Sequence, residues 1–518
     1  VNSTAISTST TVTLSDQDKS TLRTAAYGAL ALLAATGTPH AAATNGSVAL
    51  TSATGLVGHV LAARSKDIEL KGRTVAELAD RVLPALTAAM NLLGKHDPAE
   101  ADNLRGTVLV AVDAAARPRG GEPGPATAEM ARKITAALDA ATAPTAAAGP
   151  DRPELRKALE AIVASGIAGI TLRVHDERGE WVGSAGVREL GKTAKPPTDG
   201  HVRIGSNTKT FTATLVLQLV AEGRIALDDA VADYLPEFEL DPRITVRMLL
   251  QHTSGIFNFT GEYYADGTVV PGIAATTAGK EWVDNRFKTY QPEELVRLAL
   301  SKPPRFEPGT DWSYSNTNYV LARLLIEKVT GRSVAQLMQR LILGPLGLSG
   351  TVAPTTQTEV PEPHAHAYYR YEADGQEKTV DVTSQNPSWI SSGGDMISTT
   401  QDLHTFISAL TSGKLLPAEL LAEMCAPHST PIPNMGYGLG VFVQDIGMGR
   451  TVVTHNGGAA GHAALMYSTP DGSKTMTATL NYVDDAALSL AVPFQQATQM
   501  LVDEVFRSGQ SDPAQPTN

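Results

Sequence analysis

Ser206 and Lys209, three residues apart in Gly205-Ser-Asn-Thr-Lys-Thr-Phe211, are the pair in this sequence best suited to covalent chemistry. The stretch they open keeps Phe211, Leu215 and Leu219 at helical spacing until Gly223. Residues three apart on a helix share one face a turn apart, so the Lys209 amine reaches the Ser206 hydroxyl. A serine hydroxyl is a poor nucleophile until a base takes its proton, and a lysine held in a dry pocket is neutral enough to do so. The helix N-terminus favours the negative charge that develops in acyl transfer, and the Ser206 N–H can join an oxyanion hole. Taken alone, the same pattern is also an ordinary serine cap before a helix-forming lysine.

Two further elements follow in order. Tyr314 and Asn316 lie in the loop Asp311-Trp-Ser-Tyr-Ser-Asn-Thr-Asn318 before a helix through Val320, Leu324 and Val329. Two residues apart in extended chain, their side chains face one way. A cation such as Lys209 beside Tyr314 favours the phenolate and makes it a proton shuttle, while Asn316 orients Lys209 and binds a substrate amide. A packed tyrosine in a capping loop is the plainer alternative. Thr451–Thr454 reads as a strand leading into His455-Asn456-Gly457-Gly458, where the glycines allow a ligand close to the backbone. His455 is expected to supply positive character, and the backbone to pair with an extended substrate as an added strand.

In this order, S-x-x-K, Y-x-N and H-x-G resemble the signature of the serine β-lactamase and penicillin-binding superfamily. The surrounding Arg203–Lys209, Leu217–Gly223, Ile244–Arg247, His252-Thr-Ser-Gly255 and Tyr314–Asn318 are similar to the soluble DD-carboxypeptidases and class C β-lactamase relatives, over roughly Asp151 to Arg507. The resemblance implies a serine hydrolase in which Ser206 forms an acyl-enzyme, Lys209 and Tyr314 relay protons, Asn316 binds the acyl amide, and His455 completes the catalytic set. It implies substrate contacts from Asn456, Gly457 and Gly458, an oxyanion hole from the Ser206 N–H and a backbone N–H near Gly458, and cleft-lining aromatics at Trp389 and Tyr264. The implied substrates are small peptides, amides, esters or β-lactams, handled as by DD-peptidases, D-aminopeptidases and esterases. Two alternatives are an acyltransferase or peptide cyclase on the same site, and a non-catalytic penicillin or peptidoglycan sensor. Carboxypeptidase members usually hold the substrate carboxylate with an arginine on the preceding strand and a threonine in the third motif. Here Gly440-Val-Phe-Val-Gln444 has no arginine and Asn456 replaces the threonine, which leaves Arg450 as the candidate anchor.

The elements that must position these residues read as an α+β fold: an antiparallel β-sheet flanked by helices, with an inserted helical subdomain, β-lactamase/transpeptidase-like, preceded by an all-α domain. Strand-like runs at Ala168–Val174 and Trp181–Ala185 flank Asp176-Glu-Arg-Gly179, and Ala463–Ser468 and Thr475–Leu480 flank Asp471-Gly472, two hairpin signals near opposite ends of the region. Helices are expected at Leu155–Ala164 and about Ala486–Phe506. Before position 150 the only aromatic residue is Tyr27. There Thr74 and Glu77 form a capping-box signature, Asp97-Pro98 starts a helix to about Arg117, and Met130, Ile134 and Leu138 mark another. This part loosely resembles an uncharacterised all-helical domain of bacterial proteins, which implies no function. The expected organisation is a helical domain over 1–140, a Pro/Ala-rich linker over 141–152, a catalytic domain over 153–507 and a disordered tail over 508–518.

At 518 residues, with 19% charged residues and a net charge of −12, the chain carries no basic, aromatic-interleaved footprint, so nucleic acid is not an expected partner. The single cysteine, Cys425, rules out an intrachain disulfide and is expected to be buried. No cofactor is expected, and no metal either: His364 and His366, two apart without a matching carboxylate pattern, read as loop residues. No apolar run reaches membrane-spanning length, so no span is expected. Ala25–Ala43 has some leader character, but its depth in the chain and the preceding Asp16 and Asp18 favour a cytoplasmic over a secreted protein.

Overall fold

The computed structural model describes residues 14–36, 50, 55–63, 70, 74–116, 124–142, 151–264, 266–273 and 279–507, and divides the chain into two units, Val1–Ala148 and Gly149–Asn518. The first is helical among its described residues: α1 (Asp16–Thr36), α2 (Gly55–Ala62), α3 (Val75–His96), α4 (Pro98–Ala116) and α5 (Pro125–Thr142). Thr74 caps α3 by accepting from the Glu77 N–H at 3.2 Å. Ala25, Ala26 and Ala29 of α1, with Leu22, Leu32 and Leu33, are buried in one core with Val82, Leu86, Met90 and Leu93 of α3, because small side chains let two helices approach closely. The apolar run that has leader character thus contributes to this core through Leu33; its end, residues 37–43, lies outside the described residues. The Glu100 carboxylate takes the free N–H groups of Leu56 and Val57 at 3.0 and 2.9 Å, satisfying the start of α2.

The second unit begins with α6 (Pro153–Ala164), β1 (Gly169–Asp176) and β2 (Gly179–Gly186), passes through α7 (Thr208–Ala221), α8 (Asn316–Thr330) and α9 (Thr400–Thr411), and returns to β3 (His428–Ser429), β4 (Met435–Tyr437), β5 (Phe442–Gly447), β6 (Arg450–Ala459), β7 (His462–Ser468) and β8 (Thr475–Asn481) before α10 (Ala491–Val502). These strands form one antiparallel sheet in the order β2-β1-β8-β7-β6-β5-β4-β3. The early hairpin therefore pairs with the last strand, which brings both ends of the unit into one sheet. Side chains alternate between two cores. Ala463, Leu465 and Tyr467 of β7 pack with α6 and α10, whereas Ala464 and Met466 face α7 and α9. The chain from α7 to α9 is mostly helical, as an inserted subdomain requires, and α7 is buried nearly all round. The fold is the expected α+β arrangement preceded by helices.

Several boundaries differ from expectation. α5 runs to Thr142, and Arg152, inside the expected linker, is 1% exposed and bonds Asp176 at 2.9 Å; residues 143–150 and the tail 508–518 lie outside the described residues. Cys425 is half-buried, not fully buried. β6 does not end before the glycines but runs through them to Ala459, the turn falling between Ala459 and His462. No helix among the described residues is long and apolar enough to cross a membrane.

Candidate active site

Gly205–Asn207 forms a short 3-10 turn that leads directly into α7 and places Ser206 at the helix start. Gly205 has φ of +50°, and a Cβ there would lie 2.5 Å from Gly458 N, so only glycine makes this turn against β6. Lys209, fully buried on the first turn of α7, sets its Nζ 3.1 Å from Ser206 Oγ, 2.7 Å from Asn316 Oδ1 and 2.6 Å from the Gly393 carbonyl. Burial pushes its pKa well below that of a free lysine, and the nearby Asp395 carboxylate offsets only part of this. The amine is therefore driven towards neutrality. Its two N–H bonds go to Asn316 and Gly393, which accept only, and its lone pair is left for the serine hydroxyl. Asn316 is itself fixed: it opens α8, its Nδ2 donates to Thr260 Oγ1 at 3.1 Å and its N–H to Asn258 Oδ1 at 3.0 Å.

Tyr314 lies beside this group, with the Lys209 amine 4.8 Å from its ring centroid and the His252 ring at 4.3 Å. Its buried hydroxyl has no hydrogen-bond partner within ordinary limits. The Ser206 hydroxyl is near enough to pull its pKa down slightly, but burial pushes it up far more. This reverses the expectation of a phenolate: the cost of burying the charge outweighs what the neighbouring groups return. His455 differs in the same way. Its Nδ1 lies 2.9 Å from the Asn456 carbonyl, which can only accept, so that nitrogen carries the proton; Nε2 then accepts from Tyr437 Oη at 3.2 Å. Burial, helped by Lys209, lowers its pKa to about 3. His455 is thus a neutral acceptor and not the expected cation.

The alternation along β6 separates the third motif into two sets. Val453, like Ala464 and Met466, faces the α7 core, and Val452 faces the α6/α10 core; by the two-residue period His455 and Gly457 face Ser206, and Asn456 and Gly458 face away. A Cβ on Gly457 would sit 2.0 Å from Ile204 O and 2.5 Å from Ser206 N. The glycines in mid-strand are explained by this contact of two backbones. Asn456 donates through Nδ2 to Tyr467 Oη at 2.9 Å, behind the sheet, and so is not brought to Ser206. Trp389, half-buried in the 3-10 helix Pro387–Ile390, precedes the Gly393 loop. Tyr264 carries the Arg305 guanidinium 4.6 Å from its ring centroid, just beyond Thr260 in the chain. Among the described residues neither aromatic hydrogen-bonds to Ser206 or Lys209, and the rings that the Lys209 amine lies over are those of Tyr314 and Tyr319. Arg450, the candidate carboxylate anchor, donates to Phe506 O at 3.2 Å at the far end of β6. An aromatic, Phe442, stands beside His455, with ring centroids 5.4 Å apart.

Several participants have no signature of their own. Gly393 enters through its carbonyl, which no motif records. Its loop is held by Asp395, whose carboxylate accepts from Ser392 N at 2.8 Å; burial raises this carboxyl to about 6, against the pull of that N–H and of Arg323. Tyr437 is reached only through the β4–β5 pairing. His252 was legible as part of a family-like segment, but its role is structural in outline: it accepts from Ser315 N at 3.2 Å and so shapes the loop that carries Tyr314.

A Beta-lactamase family model matches residues 155–492 of the chain. Among curated proteins, a penicillin-binding protein of Bacillus subtilis (strain 168) is 26% identical over 320 residues, covering 60% of this chain and 67% of that protein; other curated relatives are spanned over only about half their length, 52% and 41%. Among solved structures, a D-stereospecific amidohydrolase from Streptomyces sp. is 38% identical, with a TM-score of 0.60, and covers 70% of this chain and 100% of its own. A D-amino acid amidase from Ochrobactrum anthropi SV3, solved with D-phenylalanine, is 25% identical with a TM-score of 0.57, over 69% and 100% of the two chains.

Proposed function

The chain belongs to the Beta-lactamase family, and from that premise we propose that it is a serine acyl-transfer hydrolase acting on amides, esters and short peptides, D-aminoacyl amides and esters foremost. The observation that carries this reading is the buried Lys209 amine, neutral in character and 3.1 Å from Ser206 Oγ. Similarity to the D-stereospecific amidohydrolase and the D-amino acid amidase supports the substrate class.

In this reading Ser206 Oγ attacks the scissile carbonyl carbon and passes its proton to the Lys209 lone pair. The oxyanion is held by the Ser206 N–H and a backbone N–H near Gly458. Tyr314, kept protonated by burial, gives its proton to the departing nitrogen or oxygen and regains one from the Lys209 ammonium. Water then attacks the acyl-enzyme, the same groups working in reverse. Asn316 and the Gly393 carbonyl hold the amine in place, and His455, fixed in one tautomer by the Asn456 carbonyl, accepts from Tyr437 and keeps the Tyr314 side of the pocket uncharged. An extended substrate has room along β6: β5 pairs only as far as Thr454, and from His455 to Ala459 that edge meets no strand among the described residues.

Intact-mass measurement over time, with a penicillin and with a D-aminoacyl ester, tests the proposal. A transient adduct on the wild-type protein and none on Ser206→Ala is expected. No adduct with either compound removes the catalytic reading, and an adduct that never leaves favours a sensor.

A further inference from the structure

Behind β6, on the face away from Ser206, lies a cavity of about 300 Å³ whose walls include Asn456–Gly458, Ile167, Leu490, Ala491 and Phe494. It is mostly apolar. Asp484 is the one carboxylate among its lining residues, and no cation lines it. Leu488, also in the lining, is 65% exposed, so the apolar wall continues to the surface. The position of the cavity matters because Gly457 and Gly458 belong both to its wall and to the free edge of β6.

Side chains of a strand added to an edge alternate between the two faces of the sheet. A substrate lying along His455–Ala459 with its reacting residue on the Ser206 side must therefore turn the residue before it to the opposite face. That face, beside Gly458, holds this cavity, and glycine at 458 leaves the way open: a Cβ there would meet nothing nearer than His462 O at 3.9 Å. We infer that the cavity is a subsite for a large apolar side chain on the residue before the one that bears the scissile carbonyl, so that among D-aminoacyl donors those extended by such a residue are preferred. The inference rests on the serine acyl-transfer reading. Glycine at that position leaves the cavity unfilled, and an acidic side chain meets Asp484 with no cation to pair with.

The test is a series of N-acetyl-Xaa-D-alanine esters with Xaa glycine, leucine, phenylalanine or glutamate, assayed as kcat/KM beside a simple D-alanine ester. Leucine and phenylalanine should exceed glycine by about ten- to a hundred-fold, the range expected from burying one large apolar side chain, and glutamate should fall below glycine. Ala491→Phe, on an exposed helix position that fills the cavity, should collapse the leucine-to-glycine ratio towards one. Phe494→Ala, which enlarges the cavity, should move the optimum to a bulkier side chain such as naphthylalanine. A flat series with the D-alanine ester still turned over overturns the subsite while leaving the acyl-transfer reading in place. So does a leucine preference untouched by both variants. Absence of turnover on every ester, the simple one included, brings down the acyl-transfer reading and the subsite with it.

Discussion

The Lys209 amine lies closer to the carbonyl of Gly393, at 2.6 Å, than to the hydroxyl of Ser206, at 3.1 Å. The base is thus anchored by backbone from a loop 184 residues away in sequence, and its contact with the nucleophile is the one left free to change during reaction. A neutral amine with both N–H bonds engaged has one direction in which to accept a proton. The geometry of the Gly393 loop is therefore part of the chemistry, and the groups that hold that loop can tune it.

Removing the amine tests its role as a proton acceptor. Lys209→Ala should lower the acylation rate by about 10²–10⁴-fold, the usual contribution of a positioned base, measured by rapid-mixing kinetics with a chromogenic ester. Lys209→Arg should not restore it, since a guanidinium stays charged and cannot accept. Recovery with arginine would show that a positive charge, and not a base, is what the site needs.

Asp395 acts through that loop. Its charge raises the Lys209 pKa, so Asp395→Asn should lower it and move the acid limb of kcat/KM to lower pH, by up to about one pH unit. A shift to higher pH contradicts the assignment. Stability carries its own sign. The folded-state carboxyl titrates at about 6 against an ordinary 3.8, so its contribution is fully present below 3.8 and is lost as pH rises through about 6. Asp395→Asn should flatten the stability profile in that window, a difference on the order of 2–3 kcal/mol in denaturant titrations at pH 4 and 7.

Gly457 and Gly458 offer a paired comparison. Gly457→Ala forces a Cβ within 2.0 Å of Ile204 O and 2.5 Å of Ser206 N, both backbone atoms, whereas Gly458→Ala has 3.9 Å of room. The first should displace the nucleophile's turn, slow acylation at least about tenfold and lower the melting temperature; the second should keep it. Equal melting temperatures for the two variants would mean that β6 is not pressed against Ser206 as described.

This pair also shows what the sequence could reveal. Ser206, Lys209, Tyr314 and Asn316 were legible because two short-range patterns, each at a helix start, carry them, and Thr74, Asp176–Gly179 and Asp471–Gly472 were legible because caps and hairpin turns are local. The direction of a side chain across β6 was not, since a strand running through two glycines looks like a strand that stops. Asn456 was consequently assigned to the substrate side and lies behind the sheet. The charge states were missed for another reason: Tyr314 and His455 take theirs from burial among each other, His252 and Tyr437, rings that the fold gathers from separate stretches of the chain.

Arg152 and Asp176 pair with side chains each 1% exposed, tying the start of the second unit to β1. Breaking a buried pair from one side costs typically about 3–5 kcal/mol when the remaining charge is left uncompensated, but here Arg152 Nε keeps the Glu154 carboxylate at 2.8 Å. Asp176→Ala should therefore lower unfolding free energy by less, about 1.5–3 kcal/mol for the lost charge-assisted bond, while a double replacement of Arg152 and Asp176 by apolar residues of similar size should recover most of it. A loss below about 1 kcal/mol would place the pair among ordinary surface contacts.

Recognition of a free carboxylate is the sharpest point of specificity. The segment Gly440–Gln444 carries no arginine of the kind expected of carboxylate-binding relatives, Asn456 stands in place of the expected threonine and faces away, and Arg450 is committed to Phe506 O five residues before His455. His455 is neutral, since its pKa is about 3, and Phe442 puts a ring beside it. Lys209, the cation whose amine meets Ser206 Oγ, is buried and driven neutral, and Arg203 is committed to the carbonyls of Thr358, Thr383 and Gln385. A substrate carboxylate here therefore loses water without gaining a charged partner, whereas an amide or ester loses less. A charge-assisted hydrogen bond would contribute about 1.5–3 kcal/mol, or roughly ten- to a hundred-fold in kcat/KM. Peptides ending in a free acid should thus be no better than the matching amides or methyl esters, and Arg450→Ala should leave the ratio unchanged. A tenfold preference for the free acid, lost in Arg450→Ala, would mean that the arginine leaves Phe506 and swings to the site when substrate binds.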